Sequence, residues 1–507
     1  MKLIIQIPCL NEEATLSTRP PRDGLVARGR RAGVEGWARI GFVALCVATA
    51  IGTLVYPTYP NYDSYYSLLW AREIVHTTLP NFEGFRMPTE HPLAILGGLV
   101  LQPFGHGADR VWIALIFGSF LALVAAVYRL GRVAFTPLVG VVAAVLLLTR
   151  FDFAFLAARG YIDIPYLALV VWAVALEATR PRRGTPVFML LTAAGLLRPE
   201  GWLLAGLYFL WMSWRATWRE RLKWAAWAAA APVGWCLVDY AVTGDPLFSL
   251  HYTSDSAEDL GRSRTLSELP GAIPDFLATI VKVPVLLAGL AGVVLAVLLV
   301  PKRALWPGVL ALTGLGTFVA IGVAGLSVIE RYLIVASLAV LVFAAVAVAG
   351  WTLLEPGRVR TVWATAAGLG VAFVVVLTAA HLDLRRFDNE LRFRGDAHTA
   401  LTRVMNDPDV EAALRCGPLT LPNHKLVPDA RWVADLPFER VYARAQIGTK
   451  TYPRPRQRRG VWLVVIDRFA IFKQAYTNDL DPATIELPPA GWRLGARSGA
   501  YAAYVHC

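Results

Sequence analysis

Residues 56–104 read YPTYPNYDSYYSLLWAREIVHTTLPNFEGFRMPTEHPLAILGGLVLQPF, and the rest of the chain is placed by them. The stretch begins where a first apolar span runs out. It sets Asp63, Glu73, Glu83 and Glu90 with Arg72, Arg86 and His91 among aromatic residues and prolines. A loop that only joins two membrane helices needs a handful of polar residues. One this long and this rich in ionisable groups carries chemistry. Tyr62, Tyr65, Tyr66 and Leu69 fall at i, i+3, i+4 and i+7, which predicts a helix over 62–76 with aromatic rings on one face and Asp63, Ser67 and Trp70 on the adjoining one. Such a helix lies in the headgroup layer and holds an acid at the membrane surface. An aspartate at this place also suits the N-cap of a helix over 64–76. The apolar run 92–104 has about 13 residues against the roughly 20 that a span needs, so it reads as a second interfacial helix.

Composition fixes the class. The 507 residues are 56% hydrophobic and 17% charged, and mean hydropathy is +0.49. Soluble domains hold roughly 45–50% apolar and 25% charged residues, so this is a polytopic membrane protein. The formal net charge of +12 raises nucleic acid as a partner in a soluble chain, but its placement excludes that reading. The arginines cluster in short connections between apolar runs, where they set orientation.

Apolar runs recur from 37–56 to 362–380, about eleven in all by span length. With a cytoplasmic amino terminus, the inner connections are 129–132, 180–183, 215–223, 302–303 and 358–360, every one of them basic. The outer connections are 57–110, 155–163, 198–201, 243–275 and 330–331. Segment 243–275 carries Asp245, Asp255, Glu258, Asp259, Glu268 and Asp275 against Arg262 and Arg264. The positive-inside rule therefore puts Asp63 outside, provided that 92–104 is not a span.

This organisation predicts three parts: a cytoplasmic tail 1–36, an all-α transmembrane domain 37–382 with the outer loop 57–110, and an extracytoplasmic α/β domain 383–507. In the last, 400–414 reads as helix, 460–467 (GVWLVVID) as a buried strand and 492–505 as a hairpin about Ser498-Gly499. Of the five cysteines, Cys416 and Cys507 fall in the outer domain, where an oxidising compartment favours their pairing. Residues 1–16, MKLIIQIPCLNEEATL, resemble the opening strand and Pro-Cys-Leu-Asn-Glu-Glu turn of GT-A nucleotide-sugar glycosyltransferases. The resemblance stops there, because 19–31 is already a basic tail and one strand buries no core. It reads as a remnant or a start-site artefact.

The order of the motifs, a first span, a long outer loop opening with an aromatic-flanked acid and closing with a basic-residue-Pro helix, then a second outer acid before the fourth span, resembles the GT-C superfamily of polyprenyl-phosphate-sugar glycosyltransferases. Protein O-mannosyltransferases and lipid A aminoarabinose transferases are the nearest in shape. The matching motifs cover roughly 37–214. The resemblance implies a polyprenyl-phosphate sugar donor, a membrane-lipid setting and an acceptor that is protein, lipid or polysaccharide. In Asn61-Tyr62-Asp63 it makes Asp63 the first-loop acid that positions or deprotonates the acceptor. Asp163 in Ala158-Arg159-Gly160-Tyr161-Ile162-Asp163-Ile164-Pro165 becomes the second catalytic acid.

Glu90-His91-Pro92 stands where aminoarabinose transferases have Lys-Pro, whose lysine meets the lipid phosphate. Histidine replaces it here, and a neutral imidazole is the weaker partner, which passes part of the role to Arg86 or Arg159. Leu197-Arg198-Pro199-Glu200-Gly201 resembles the turn between two short helices of the superfamily, and Glu330-Arg331-Tyr332 its Arg-Tyr at the donor phosphate. Tyr62 and Tyr66 complete the expected substrate-binding set.

Each position has a plainer reading as well: an Arg159–Asp163 pair at i, i+4, an ordinary interfacial His91, a structural Arg198–Glu200 turn. Chemistry supports the acids independently, because sugar transfer from a lipid phosphate needs a base at the nucleophile and cations at the departing phosphate. Carboxylates this close to hydrocarbon are costly without a partner. The eight histidines are scattered and no acidic pair has ligand spacing, so no metal and no cofactor is expected. A transporter or lipid flippase fits the many spans, but the chain shows neither internal repeat nor charged pathway. A scaffold whose outer tail is the active part makes the loop acids dispensable.

Overall fold

The computed structural model describes residues 33–56, 58–259, 268–326, 328–381, 384–447, 454, 457–467 and 487–507. The stretch 1–16, with its GT-A-like opening, lies outside the described residues. The chain falls into two units, Met1–Cys46 and Val47–Cys507. The helix Gly33–Val55 is long and apolar enough to cross a membrane.

Among the described residues five helices meet that test: Gly33–Val55, Pro92–Ala134, Trp218–Thr243, Pro301–Val323 and Glu330–Leu353. The number rises to seven if two bent pairs each count once, Pro137–Leu148 with Phe151–Ala158 at 63° and Leu269–Val281 with Val283–Leu299 at 109°. The expected count of about eleven is not confirmed by this test of length and composition among the described residues. Several apolar runs fold as half-length helices, such as Thr185–Leu197 (13 residues) and Glu200–Ser213 (14 residues), which meet at Arg198-Pro199. The run 92–104 forms the ten-residue helix Pro92–Leu101. It is joined through a kink at Gly105 (φ 55°) to the longer helix Ala108–Ala134.

The helix Ile334–Ala349 is buried almost all round. Val283–Leu299 packs on it through Gly292, where an added Cβ would stand 1.8 Å from the Phe343 carbonyl oxygen. Without a hydrophobic force between helices in lipid, this close backbone approach supplies the dispersion contacts that hold the pair.

The helix foreseen over 62–76 is present as Tyr62–Val75. Its cap is Asn61, whose side chain accepts from Ser64 N at 3.2 Å, which leaves the Asp63 carboxylate uncommitted to capping. Ser64 to Ala71 are all buried. The helix is therefore enclosed by protein along most of its length: Pro92–Leu101 packs on it from one side and Val427–Ala434 of the carboxy-terminal domain from another. Arg431 reaches Glu73 at 2.6 Å, and the Tyr56 hydroxyl donates to Asp388 at 2.7 Å.

The carboxy-terminal domain holds one sheet of order β2-β1-β3-β5-β4. The strands are β1 (Leu419–Leu421), β2 (Val441–Ala443), β3 (Gly460–Val465), β4 (Arg493–Ser498) and β5 (Tyr501–His506). β1 runs parallel to β2 and β3, and β5 antiparallel to β3 and β4. The foreseen GVWLVVID strand is β3, wholly buried, and the foreseen hairpin is β4–β5, turning at Gly499. The run 400–414 is divided between Leu384–Met405 and Pro408–Cys416, because Asp407 caps the second helix. Leu401, Val404, Val410, Leu421, Leu463 and Ala503 form part of its core. Cys416 and Cys507 are disulfide-bonded, as the compartment argument favours, with Cα atoms 5.8 Å apart.

Candidate active site

Two segments distant in sequence are stapled by hydrogen bonds to the backbone carbonyls of 158–160. Thr58 Oγ1 donates to the Ala158 carbonyl at 2.6 Å, Ser64 Oγ to that of Gly160 at 2.7 Å, and Asn61 N to that of Arg159 at 2.7 Å. Gly160 has φ +70°, and an added Cβ would lie 2.8 Å from Ile113 Cδ1. Only glycine turns the chain here without strain. The staples bring the start of Tyr62–Val75 beside the start of Asp163–Thr179, and with them Asp63 and Asp163.

Arg331 joins the two acids. It stands in the 3-10 turn Glu330–Leu333 ahead of the central buried helix. Its Nη1 lies 3.4 Å from Asp63 Oδ2, and its Nε 3.5 Å from Asp163 Oδ1. Asp163 is buried and also bonded to Arg198 Nη1. Arg198 in turn binds Glu200 through Nη2 at 2.6 Å and Nε at 3.1 Å, with its guanidinium over the rings of Tyr332 (5.1 Å) and Tyr166 (5.5 Å). The result is a continuous relay of alternating charge, Asp63–Arg331–Asp163–Arg198–Glu200. Buried charges of this kind are tolerated only as such mutual partners. Asp163 Oδ2 and Arg331 Nε, both buried, make no hydrogen bond among the described residues, so the relay keeps unsatisfied donor and acceptor capacity.

The Asp63 end of the relay opens on a cavity of about 1620 Å³, well above the roughly 300–1,000 Å³ of drug-sized sites. Of the expected residues, Asp63, Tyr62, Arg86, His91, Arg159, Arg198, Glu200, Arg331 and Tyr332 line it. Asp163 lies in a small recess behind, with Tyr166, Arg198 and Arg331. The alternative Arg159–Asp163 pair does not form: Asp163 takes Arg198 and Arg331, and Arg159 lies over the rings of Phe155 and Tyr161 at 5.2 and 5.3 Å. Tyr62 donates its hydroxyl to the Arg86 carbonyl oxygen. Tyr66 stands behind the wall, edge-on to Tyr62 at 5.1 Å.

Two expectations change in kind. Glu90 is buried behind the wall, bonded to Ser249 Oγ and at 3.3 Å to Trp235 Nε1. Burial and the neighbouring Asp239 push its pKa well above the carboxylate range, so Glu90 is a neutral structural partner there and not a charged substrate contact. His91 does face the cavity, with its ring edge-on to Trp235 at 5.8 Å. Burial, with Arg198 and Arg331 nearby, pushes its pKa down to about 3, which keeps the imidazole neutral.

Arg394, His424, Lys425 and Asp429 also line the cavity, and none of them was foreseen. They come from the carboxy-terminal domain, whose soluble composition separates it in sequence from the loop it covers. Only Arg394 had a signal in the sequence, the run of arginines and phenylalanines in 385–394. The lining also has an apolar part, with Leu203, Phe276, Ile321, Ala324 and Val328. Among the described residues no three His, Cys, Asp or Glu side chains are grouped to hold a metal ion.

No family model and no curated protein matches the sequence. Solved structures do. ArnT from Cupriavidus metallidurans bound to undecaprenyl phosphate is 15% identical, with a TM-score of 0.52 over 92% of this chain and 98% of that one. Its apo state gives 15% identity and 0.52 over 93% and 98%. A lower TM-score, 0.44 at 14% identity over 79% of this chain and 63% of that chain, relates it to the Archaeoglobus fulgidus oligosaccharyltransferase tethered with an acceptor peptide. The ArnT likeness takes in nearly the whole of both chains and shows that this protein shares the ArnT fold.

Proposed function

We propose that the chain is an integral-membrane glycosyltransferase that moves a sugar from a polyprenyl-phosphate donor to an acceptor on the extracytoplasmic side. One observation carries the reading: Asp63 opens on the large cavity while Arg331 ties it to Asp163, within a fold shared with a protein crystallised on undecaprenyl phosphate. Asp63 accepts the proton of the acceptor nucleophile. A bond forms from that atom to the anomeric carbon as the bond from this carbon to the donor phosphate oxygen breaks, and the phosphate departs with the electron pair. Arg331, with Arg86 and Arg159 on the same wall, stabilises the charge that grows on it, an effect worth about 10²–10³ in rate per well-placed donor. Arg198 and Glu200 hold Asp163 and so the orientation of Arg331. The apolar wall at Leu203, Phe276 and Ile321 offers the prenyl chain a path. Basic connections on one side support an outer position for both the cavity and the carboxy-terminal domain. No metal or other cofactor enters the reading, since Arg331 stands between the acids that would share an ion.

Ligand-induced thermal stabilisation tests the donor. A ligand that binds only the folded state raises the melting temperature with its concentration, so polyprenyl phosphate stabilises the purified protein in detergent and polyprenol of the same length does not. Equal effects of the two lipids, or no effect of either, contradict the reading.

A further inference from the structure

His398, on the carboxy-terminal helix Leu384–Met405, belongs to none of the groups assigned above, yet it touches two walls of the cavity. Its ring stacks on Tyr59 with centroids 4.8 Å apart, and its Nδ1 lies 3.1 Å from Asp429 Oδ1. Both Tyr59 and Asp429 line the cavity. On its other edge Nε2 is 3.8 Å from Asp109 Oδ2, the oxygen that also accepts from the Tyr65 hydroxyl at 3.2 Å. The Tyr65 hydroxyl is 3.5 Å from Nδ1. The side chain is 11% exposed. The groups that face it are therefore Asp429 from Val427–Ala434, Asp109 and Arg110 from the start of Ala108–Ala134, Tyr65 from Tyr62–Val75, and Tyr59 from the segment before it.

We propose that His398, as an imidazolium held between Asp109 and Asp429, is a positioning residue for the sugar transfer proposed above: it fixes Tyr59 and Tyr65, which flank Asp63, and so holds the Asp63 carboxylate at the cavity. The geometry favours a charged ring: Asp429 Oδ1 lies at hydrogen-bond distance from Nδ1, and the Asp109 carboxylate stands 3.8 Å from Nε2, too far for a hydrogen bond but close enough to attract the charge of an imidazolium. Burial pulls the imidazole pKa down, but Asp429 and Asp109 outweigh both burial and Arg110, and the pKa stands above the ordinary value. The sign follows: the clamp is intact at low pH and is lost as pH rises through this raised value, leaving two carboxylates across a neutral ring. Tyr65, buried beside Asp429 and Asp109, has its pKa raised well above the usual phenol value, so it remains a donor throughout and the change belongs to His398.

The test is hydrogen exchange of residues 58–66 in the full-length protein in detergent from pH 6 to 9, corrected for intrinsic exchange, beside transfer rate over the same range. In the wild type, protection of 58–66 falls about tenfold across the range, and kcat falls in parallel with little change in KM, as expected when an intrinsic fold difference of about 1.4 kcal/mol is lost. In His398→Gln both pH dependences are flat. In Asp429→Asn, which keeps the histidine and the shape of the pocket, both midpoints move to lower pH. An alkaline limb that survives in His398→Gln, or a loss of rate equal at every pH, overturns the proposal. The inference rests on the glycosyltransferase reading, and the two fail separately: a wild type without transfer from any polyprenyl-phosphate sugar defeats that reading, while exchange of 58–66 that does not depend on pH defeats the role of His398.

Discussion

At the scale of single residues, Arg331 is the side chain on which the most depends. It is the one shared by Asp63 and Asp163, and a lysine ammonium, a point charge without the planar fork, cannot serve both in one geometry. Arg331→Lys is expected to lower transfer by about 100-fold with the melting temperature close to wild type, as steady-state rates and thermal denaturation would show. His91 makes the opposite kind of prediction. Its pKa is pushed down to about 3 in the fold, from an ordinary value near 6.5. The unfolded chain therefore binds a proton that the folded one refuses, and stability falls as pH drops from about 6.5 towards 3. Melting temperatures at pH 7.5 and pH 5 should differ more for wild type than for His91→Gln. Asp63 and Asp163 were legible from sequence because a carboxylate near hydrocarbon demands a reason. Glu90 satisfied the same rule and was misread, since its partner Asp239 lies on the distant helix Trp218–Thr243 and no local spacing announces a buried carboxyl pair.

At the scale of elements, the Tyr62–Val75 helix shows how far periodicity goes. Its limits followed from the aromatic repeat, but its surroundings did not, because the surfaces that bury it belong to Pro92–Leu101 and Val427–Ala434. The half-length helices around Arg198-Pro199 show why apolar runs alone do not fix a number of spans: an apolar run signals burial, and burial inside a bundle of broken helices looks the same in sequence as burial in lipid. In the carboxy-terminal domain the GVWLVVID run and the Ser498-Gly499 turn gave β3 and the β4–β5 hairpin directly, since each carries its signal locally. The Cys416–Cys507 bond closes a separation of 91 residues and holds the end of β5 to Pro408–Cys416. Cys507→Ser is expected to cost about 2–5 kcal/mol of domain stability, read as a lower denaturation midpoint and earlier exchange of β4 and β5, with donor-induced stabilisation retained.

At the scale of the whole molecule, the functional unit is larger than its membrane part. Arg394, Lys425 and Asp429 reach the cavity from the carboxy-terminal domain, and Arg431 with Glu73 and Tyr56 with Asp388 hold that domain against the loop. Sequence composition drew a boundary near 383 that is real in hydropathy and misleading for chemistry, because one site is assembled from both sides of it. The fold shared with ArnT was legible in the order of weak motifs, each of which alone is ambiguous. Most direct of all is sugar transfer by purified full-length protein in detergent, supplied with labelled polyprenyl-phosphate sugars and a membrane-extract acceptor, with Asp63→Asn alongside. Label should reach the acceptor with the wild type and fall by at least about 100-fold in Asp63→Asn, while polyprenyl phosphate still stabilises both proteins equally. Undiminished transfer by Asp63→Asn would contradict the role given to that carboxylate.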